Sequence, residues 1–311
     1  MSKRFTALEI QCLAPAVCDI FMNTMPSIDT PLPRLYIANG RNFHKVREQA
    51  ISDVFCPYKE FPAEDSIMEY IHGEKGSAIL IRQNLLTDNN EQTFCWFLWH
   101  ELGHWYAINS EKNDLHRYNA PDLLDHITLA DRLRGIDTTA IQLKQEGYWF
   151  WQEFIAEAIS KYVSGKYDAA HYTDKPDHID WNPSIYEPIM DYLDNMLAVA
   201  FSPFAGTVDE YALAHYFANL LMRDVVVLFV KAAENGEVLV EDEPIEPTGI
   251  SDFDPEEFRP AMWKLYKLLK KQVEKERFWE IEENYLQELG KCITELRDIM
   301  DQLINTYDWE Q

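Results

Sequence analysis

The stretch Thr93-Phe-Cys-Trp-Phe-Leu-Trp-His100-Glu101-Leu-Gly-His104-Trp-Tyr-Ala107 sets the organisation of the whole chain. It carries H-E-x-x-H inside a strongly apolar run, which predicts a helix starting near Asn89–Gln92. On a helix, residues four apart lie one turn apart on the same face. His100 and His104 can therefore aim both imidazoles at one metal ion. Glu101 leaves the helix about 100° further round, near enough to reach a water on that metal. Two neutral nitrogen ligands and one carboxylate base are what a zinc hydrolase requires.

The motif is short, and its weight comes from its surroundings. Trp96, Phe97, Leu98, Trp99, Leu102, Trp105 and Tyr106 flank it. Two histidines and a glutamate buried among them without partners would cost several kcal/mol. A metal removes that cost; the alternative is a pair of satisfied core histidines. Gly103 and Ala107 stand three and seven positions after His100. Gly in a helix interior costs about 1 kcal/mol relative to Ala. A close approach by another backbone, or by a substrate, is expected at Gly103.

The chain of 311 residues is long enough for two ordinary domains or one large one. Hydrophobic residues make up 47%, which supports a sizeable core and argues against wholesale disorder. Against 28 Lys and Arg stand 53 Asp and Glu, a net charge of −25. That surface repels nucleic-acid phosphates and anionic membranes, so neither is expected as a partner. Glu9, Gln11 and Asp19 interrupt the N-terminal region, leaving no clean signal-peptide core. No apolar run is long enough for a membrane span. Cys12, Cys18, Cys56, Cys95 and Cys292 are scattered, with no C-x-x-C. They read as reduced thiols of a cytoplasmic protein, neither zinc ligands nor a disulfide framework.

In chain order, residues 5–25 read as a helix and Leu35–Ala38 as a strand ending at an Asn39-Gly40 turn. A short helix follows at 42–54. His72–Gly76 reads as a turn and Ser77–Arg82 as a strand. Within the polar stretch 109–146, Pro121–Leu133 reads as a helix. Gly147 precedes a second apolar helix, Tyr148–Val163, ended by Ser164-Gly165. Helices are expected at 185–200 and 207–234. The expected domains are a metallopeptidase domain over 1–235, an acidic linker over 236–255 and a helical hairpin over 256–311.

A catalytic zinc needs a third protein ligand and an open fourth position. Metzincins require Gly and His where this chain has Ala107 and Ser110, so that class is excluded. A carboxylate on a later helix is the alternative. Trp151-Gln-Glu153-Phe-Ile-Ala156-Glu157-Ala-Ile-Ser160 offers Glu153 and Glu157 on one face, beside small residues that allow a close helix crossing. Glu153 is the preferred third ligand; Glu157, Asp125, His126 and Glu146 compete. Glu157 better suits a hydrogen bond to the outer nitrogen of a zinc-binding His. A plain solvated stripe fits poorly, because Phe154, Ile155, Ile159, Tyr162 and Val163 leave that helix little solvent-facing surface.

H-E-L-G-H followed by a helix bearing E-x-x-A-E resembles the gluzincin zinc metallopeptidases. Trp105 after the second His, and Glu-Phe-Ile-Ala-Glu downstream, are similar to the metallopeptidase domains of ArdC-type antirestriction proteins. A weaker similarity runs to ImmA/IrrE-type peptidases. The resemblance covers residues 77–165 at most. It implies His100, His104 and Glu153 as zinc ligands, Glu101 as catalytic base and Glu157 as support. The 48 residues between His104 and Glu153 exceed the shortest gluzincin spacings, which points to an insertion. The fold expected is mainly α with a small N-terminal β-sheet, α+β and zincin-like, its active-site helix packed on a second ligand-bearing helix.

The expected activity is zinc-dependent peptide-bond hydrolysis, in which Glu101 takes a proton from a zinc-bound water. The substrate would be a peptide or protein, with Ser77–Arg82 as an edge strand for it to pair on. Tyr148, His171, Tyr172, His178 and His215 are candidates for steadying the oxyanion. Two other readings compete. One is a zinc-stabilised regulatory protein with a blocked fourth position. The other is an acidic interaction protein with a vestigial site.

Overall fold

The computed structural model describes residues 5–56, 67–86, 91–111, 114–120, 123–124, 134–135, 137–171, 261, 264–265, 267–269 and 271–306. The expected helices at 185–200 and 207–234, the acidic stretch 236–255 and most of Pro121–Leu133 lie outside the described residues. The protein is mainly α-helical with one three-stranded sheet near its N-terminus. It divides into two compact units. One comprises Met1–Asp114 and Ile155–Asp177, the other Leu115–Phe154 and His178–Gln311.

In the first unit, helix α1 (Ala7–Thr24) starts at a capping box. Thr6 Oγ1 accepts from the Glu9 amide, and the Glu9 carboxylate accepts from the Thr6 amide at 2.8 Å. Strand β1 (Arg34–Ala38) and helix α2 (Phe43–Val54) follow, close to the expected positions. Strands β2 (Met68–Gly73) and β3 (Gly76–Arg82) then form a hairpin, and the sheet order is β1-β3-β2. β1 runs parallel to β3, while β2 runs antiparallel to it.

Ser77–Arg82 is the central strand and not an edge, because β2, which was not anticipated, covers its other side. Ala78, Ile79, Leu80 and Ile81 are all fully buried. A continuous apolar run with no polar alternation marks a strand covered on both faces. Ala78 and Leu80 pack with Ile71 and with Phe43, Ala50 and Val54 of α2. By the period-2 alternation of strands, Ile79, Ile81, Tyr70 and His72 face the opposite side, and β2 meets the motif helix.

That helix, α3 (Glu91–Ser110), is buried around most of its circumference from Leu98 to Ile108. Aromatic tips pin it to the N-terminal segment. Trp99 Nε1 donates to the Val17 carbonyl at 3.1 Å, and Tyr106 Oη donates to the Pro26 carbonyl at 3.0 Å. Phe94 packs on Phe5, and Phe21 meets Tyr106 edge-on.

Helix α4 spans Thr138–His171 and is continuous; the division between units falls inside it. This corrects the expected start at Tyr148 and stop at Ser164-Gly165. The start signal is Asp137, whose carboxylate accepts from the Ala140 amide at 3.0 Å. Gly147 is not a break but a crossing point within the second unit. A methyl group there would overlap the Leu286 carbonyl of helix α5 (Glu283–Thr306). Gly290 of α5 is equally tight against the Leu143 carbonyl. Glu146, a competing ligand in the sequence reading, holds Arg297 through two hydrogen bonds of 2.8 and 3.1 Å. A methyl group added at Gly165 would meet nothing within 4 Å beyond its own helix, so nothing in its packing demands glycine. Among the described residues, no helix is long and apolar enough to cross a membrane.

The two helix glycines should respond oppositely to alanine. Gly147→Ala must separate two backbones and should destabilise by about 1–3 kcal/mol. Gly165→Ala adds its methyl to open space and should stabilise by about 0.5–1 kcal/mol. Denaturant unfolding of both variants checks this; equal effects would contradict the crossing.

Candidate metal centre

Helices α3 and α4 meet where both lack bulk. A methyl group at Gly103 would stand 2.8 Å from the Cα and carbonyl oxygen of Ala156. The close backbone approach expected at Gly103 is therefore made by Ala156. One turn on, Ser160 is fully buried and its Oγ donates to the Trp96 carbonyl at 3.2 Å. The helix period puts Glu153, Ala156, Glu157 and Ser160 on one face of α4. The face of α3 that carries His100 and His104 lies against it.

The two imidazoles meet edge to face, with centroids 4.9 Å apart and planes at 83°. Their Nε2 atoms face each other at 3.2 Å. Glu157 Oε2 lies 3.3 Å from Nδ1 of His100, in hydrogen-bonding contact. With Glu157 ionised it can only accept, so the Nδ1 of a neutral His100 carries the proton and its Nε2 is left with the lone pair. Ligand atoms of His100, His104 and Glu153 all lie within 4.8 Å of one another. The unit boundary falls one residue beyond Glu153, between Phe154 and Ile155.

The histidine pair has the spacing of two ligands of one tetrahedral dication. Two nitrogens held at about 2.0–2.1 Å from such an ion stand roughly 3.3 Å apart, close to the separation observed. Two imidazoles and a carboxylate also match the ligand chemistry of zinc and leave a fourth position for water or substrate. Glu101 and His104 are only 9% and 8% exposed. An ion held beside them would be largely shielded from solvent.

Among the described residues, no cysteine joins the cluster of metal-binding side chains. All five are free. Burial pushes the thiols of Cys18 and Cys95 up to about 11, with Asp19 and Glu91 acting in the same direction. Tyr148 is fully buried. Asp125, His126, Tyr172, His178 and His215 lie outside the described residues, as does the side chain of His171.

Tyr70 went unnoticed in the sequence because β2 did. Its ring lies nearly parallel to that of His104, at 13° with centroids 6.1 Å apart. Burial raises its phenol above the ordinary value. Hydrogen bonds with Ser77 and Asn109 pull it back, while the Glu111 and Glu101 carboxylates push it up. The available signal was the alternation of Met68, Tyr70 and His72 with Glu69 and Ile71, which places an aromatic and an imidazole on one strand face.

No family model, no curated protein and no solved structure matches the chain.

If these side chains share an ion, purified protein should carry about one zinc per chain, and His100→Ala and His104→Ala should each lose most of it. Glu153→Ala should behave like the histidine variants, whereas Glu157→Ala should weaken zinc by only about 10–100-fold. Titration of each variant against a chelator checks the ranking. Retention in Glu153→Ala with loss in Glu157→Ala would reverse the two roles.

Proposed function

We propose that the protein is a zinc-dependent metallopeptidase of the gluzincin type, acting on a peptide or protein. The convergence of His100, His104 and Glu153 within 4.8 Å carries this reading. The hydrogen bond from His100 to Glu157 supports it. A likeness to the ArdC-type peptidase domains belongs to the same proposal and rests on the H-E-L-G-H and E-F-I-A-E motifs.

His100, His104 and Glu153 would hold the ion. Zinc bound there would supply a Lewis acid that polarises a carbonyl and makes water reactive near neutral pH. Glu101 is the general base: its carboxylate takes a proton from the attacking water and delivers it to the nitrogen of the departing amine. Its burial surrounds that transfer with a low dielectric, which strengthens each electrostatic contact. Glu157 keeps the His100 proton on Nδ1, so that Nε2 stays a ligand. For an extended substrate, the outer edge of β2 replaces the strand first expected. β2 adjoins α3, and among the described residues no strand pairs with its outer edge. Main-chain pairing there would suit a peptide. A cytoplasmic location is proposed from the five free thiols, which suit a reducing compartment.

Glu101→Gln tests the proposal. The amide is nearly isosteric but cannot accept the water's proton. Zinc content should stay at the wild-type level while turnover of a peptide library falls by about 10²–10⁴-fold. An equally active variant would place the base elsewhere. Zinc-loaded wild type that cleaves no peptide would contradict the enzymatic reading.

A further inference from the structure

The two imidazoles are steadied by different means. His100 is held in its plane by a hydrogen bond from Nδ1 to Glu157. His104 has an aromatic ring against it: Tyr70 on β2, 13° from parallel with centroids 6.1 Å apart. We infer that Tyr70 is a positioning residue that sets the ring plane of His104 and so aims its Nε2 at the cluster. The inference rests on reading His104 as a metal ligand.

An imidazole nitrogen offers its lone pair in the plane of the ring. Rotation of the ring about its bond to Cβ swings that lone pair away from the position shared with His100 and Glu153. A parallel neighbour resists this rotation, because turning the ring breaks the offset stack and drives one ring edge into the other. The neighbour must itself be rigid. Tyr70 Oη is hydrogen-bonded to Ser77 Oγ at 2.9 Å and lies 3.3 Å from Nδ1 of His72. His72 and Ser77 are register partners across the β2–β3 hairpin, and Tyr70 pairs with Ile79. The tyrosine is thus fastened at its backbone by the sheet ladder and at its tip by two groups from that ladder. His72 also stacks loosely on the Tyr70 ring, at 26° and 6.3 Å. The sheet, through one aromatic ring, sets a ligand carried by a helix.

The test separates the stack from the hydroxyl and from the metal. In metal-free wild type, nuclear Overhauser contacts should join the Tyr70 and His104 rings, with His104 in one rotamer. Tyr70→Phe should keep those contacts and keep zinc affinity within about threefold of wild type. Tyr70→Leu should leave His104 rotationally averaged and weaken zinc by about 10–100-fold, the range for groups that orient a ligand. Rescue by phenylalanine but not leucine is what a ring-plane restraint predicts. Absence of the ring contacts in wild type would overturn the inference, and this holds even if Tyr70→Leu fails to fold. So would wild-type zinc affinity in Tyr70→Leu, or equal losses in the phenylalanine and leucine variants. Wild type that shows the ring contacts but binds no zinc would instead defeat the metallopeptidase reading and leave Tyr70 as the restraint on His104.

Discussion

The candidate centre depends on how closely α3 and α4 can approach. Gly103 and Ala156 bring the two backbones to a separation at which a single added methyl would stand 2.8 Å from main-chain atoms. Helix axes usually run 8–10 Å apart, depending on the side chains between them. A glycine facing an alanine lies at the tight end of that range. Only there can imidazoles from one helix and carboxylates from the other share a volume small enough for one ion. The two ends of the crossing are occupied accordingly, by polar groups that point inward and by Ser160, which ties back to the Trp96 carbonyl.

The apolar environment gives this arrangement its chemical character. Trp99, Leu102, Trp105, Phe154 and Ile155 are buried around the two helices. Charge in such a place is poorly screened, so each carboxylate and imidazole interacts strongly with its neighbours. The same shell makes unpaired groups expensive. His100 against Glu157 partly offsets that expense. The sheet adds rigidity from the other side. β3 is buried on both faces, and β2 carries Tyr70 to the ring of His104.

Much of this was legible in the sequence because helices write their contacts at short range. H-E-x-x-H and E-x-x-A-E each occupy about one turn, so spacing alone puts both members of each pair on one face. Gly103 signalled a close approach because glycine inside a helix needs a packing reason. Long-range pairing was harder to see. β2 has one clear apolar residue on its α2 face, Ile71, beside Glu69, and Glu69 is there to hold Arg47 at 2.7 Å. That ion pair hides the strand from a hydrophobic pattern, and with it went the central position of β3 and the role of Tyr70. Gly147 was misread for a related reason. A helix-terminating glycine and a helix-crossing glycine look alike until the partner, here Leu286, is known.

The central claim is that His100, His104 and Glu153 bind one zinc ion. X-ray absorption at the zinc edge, on protein purified without added metal, tests it most directly. The account predicts a first shell of nitrogen and oxygen only, at about 2.0–2.2 Å, with outer-shell scattering from two imidazoles. Sulfur near 2.3 Å would mean that a cysteine holds the metal, and a single imidazole would mean that the His100–His104 pair does not act as one site. Either result would contradict it.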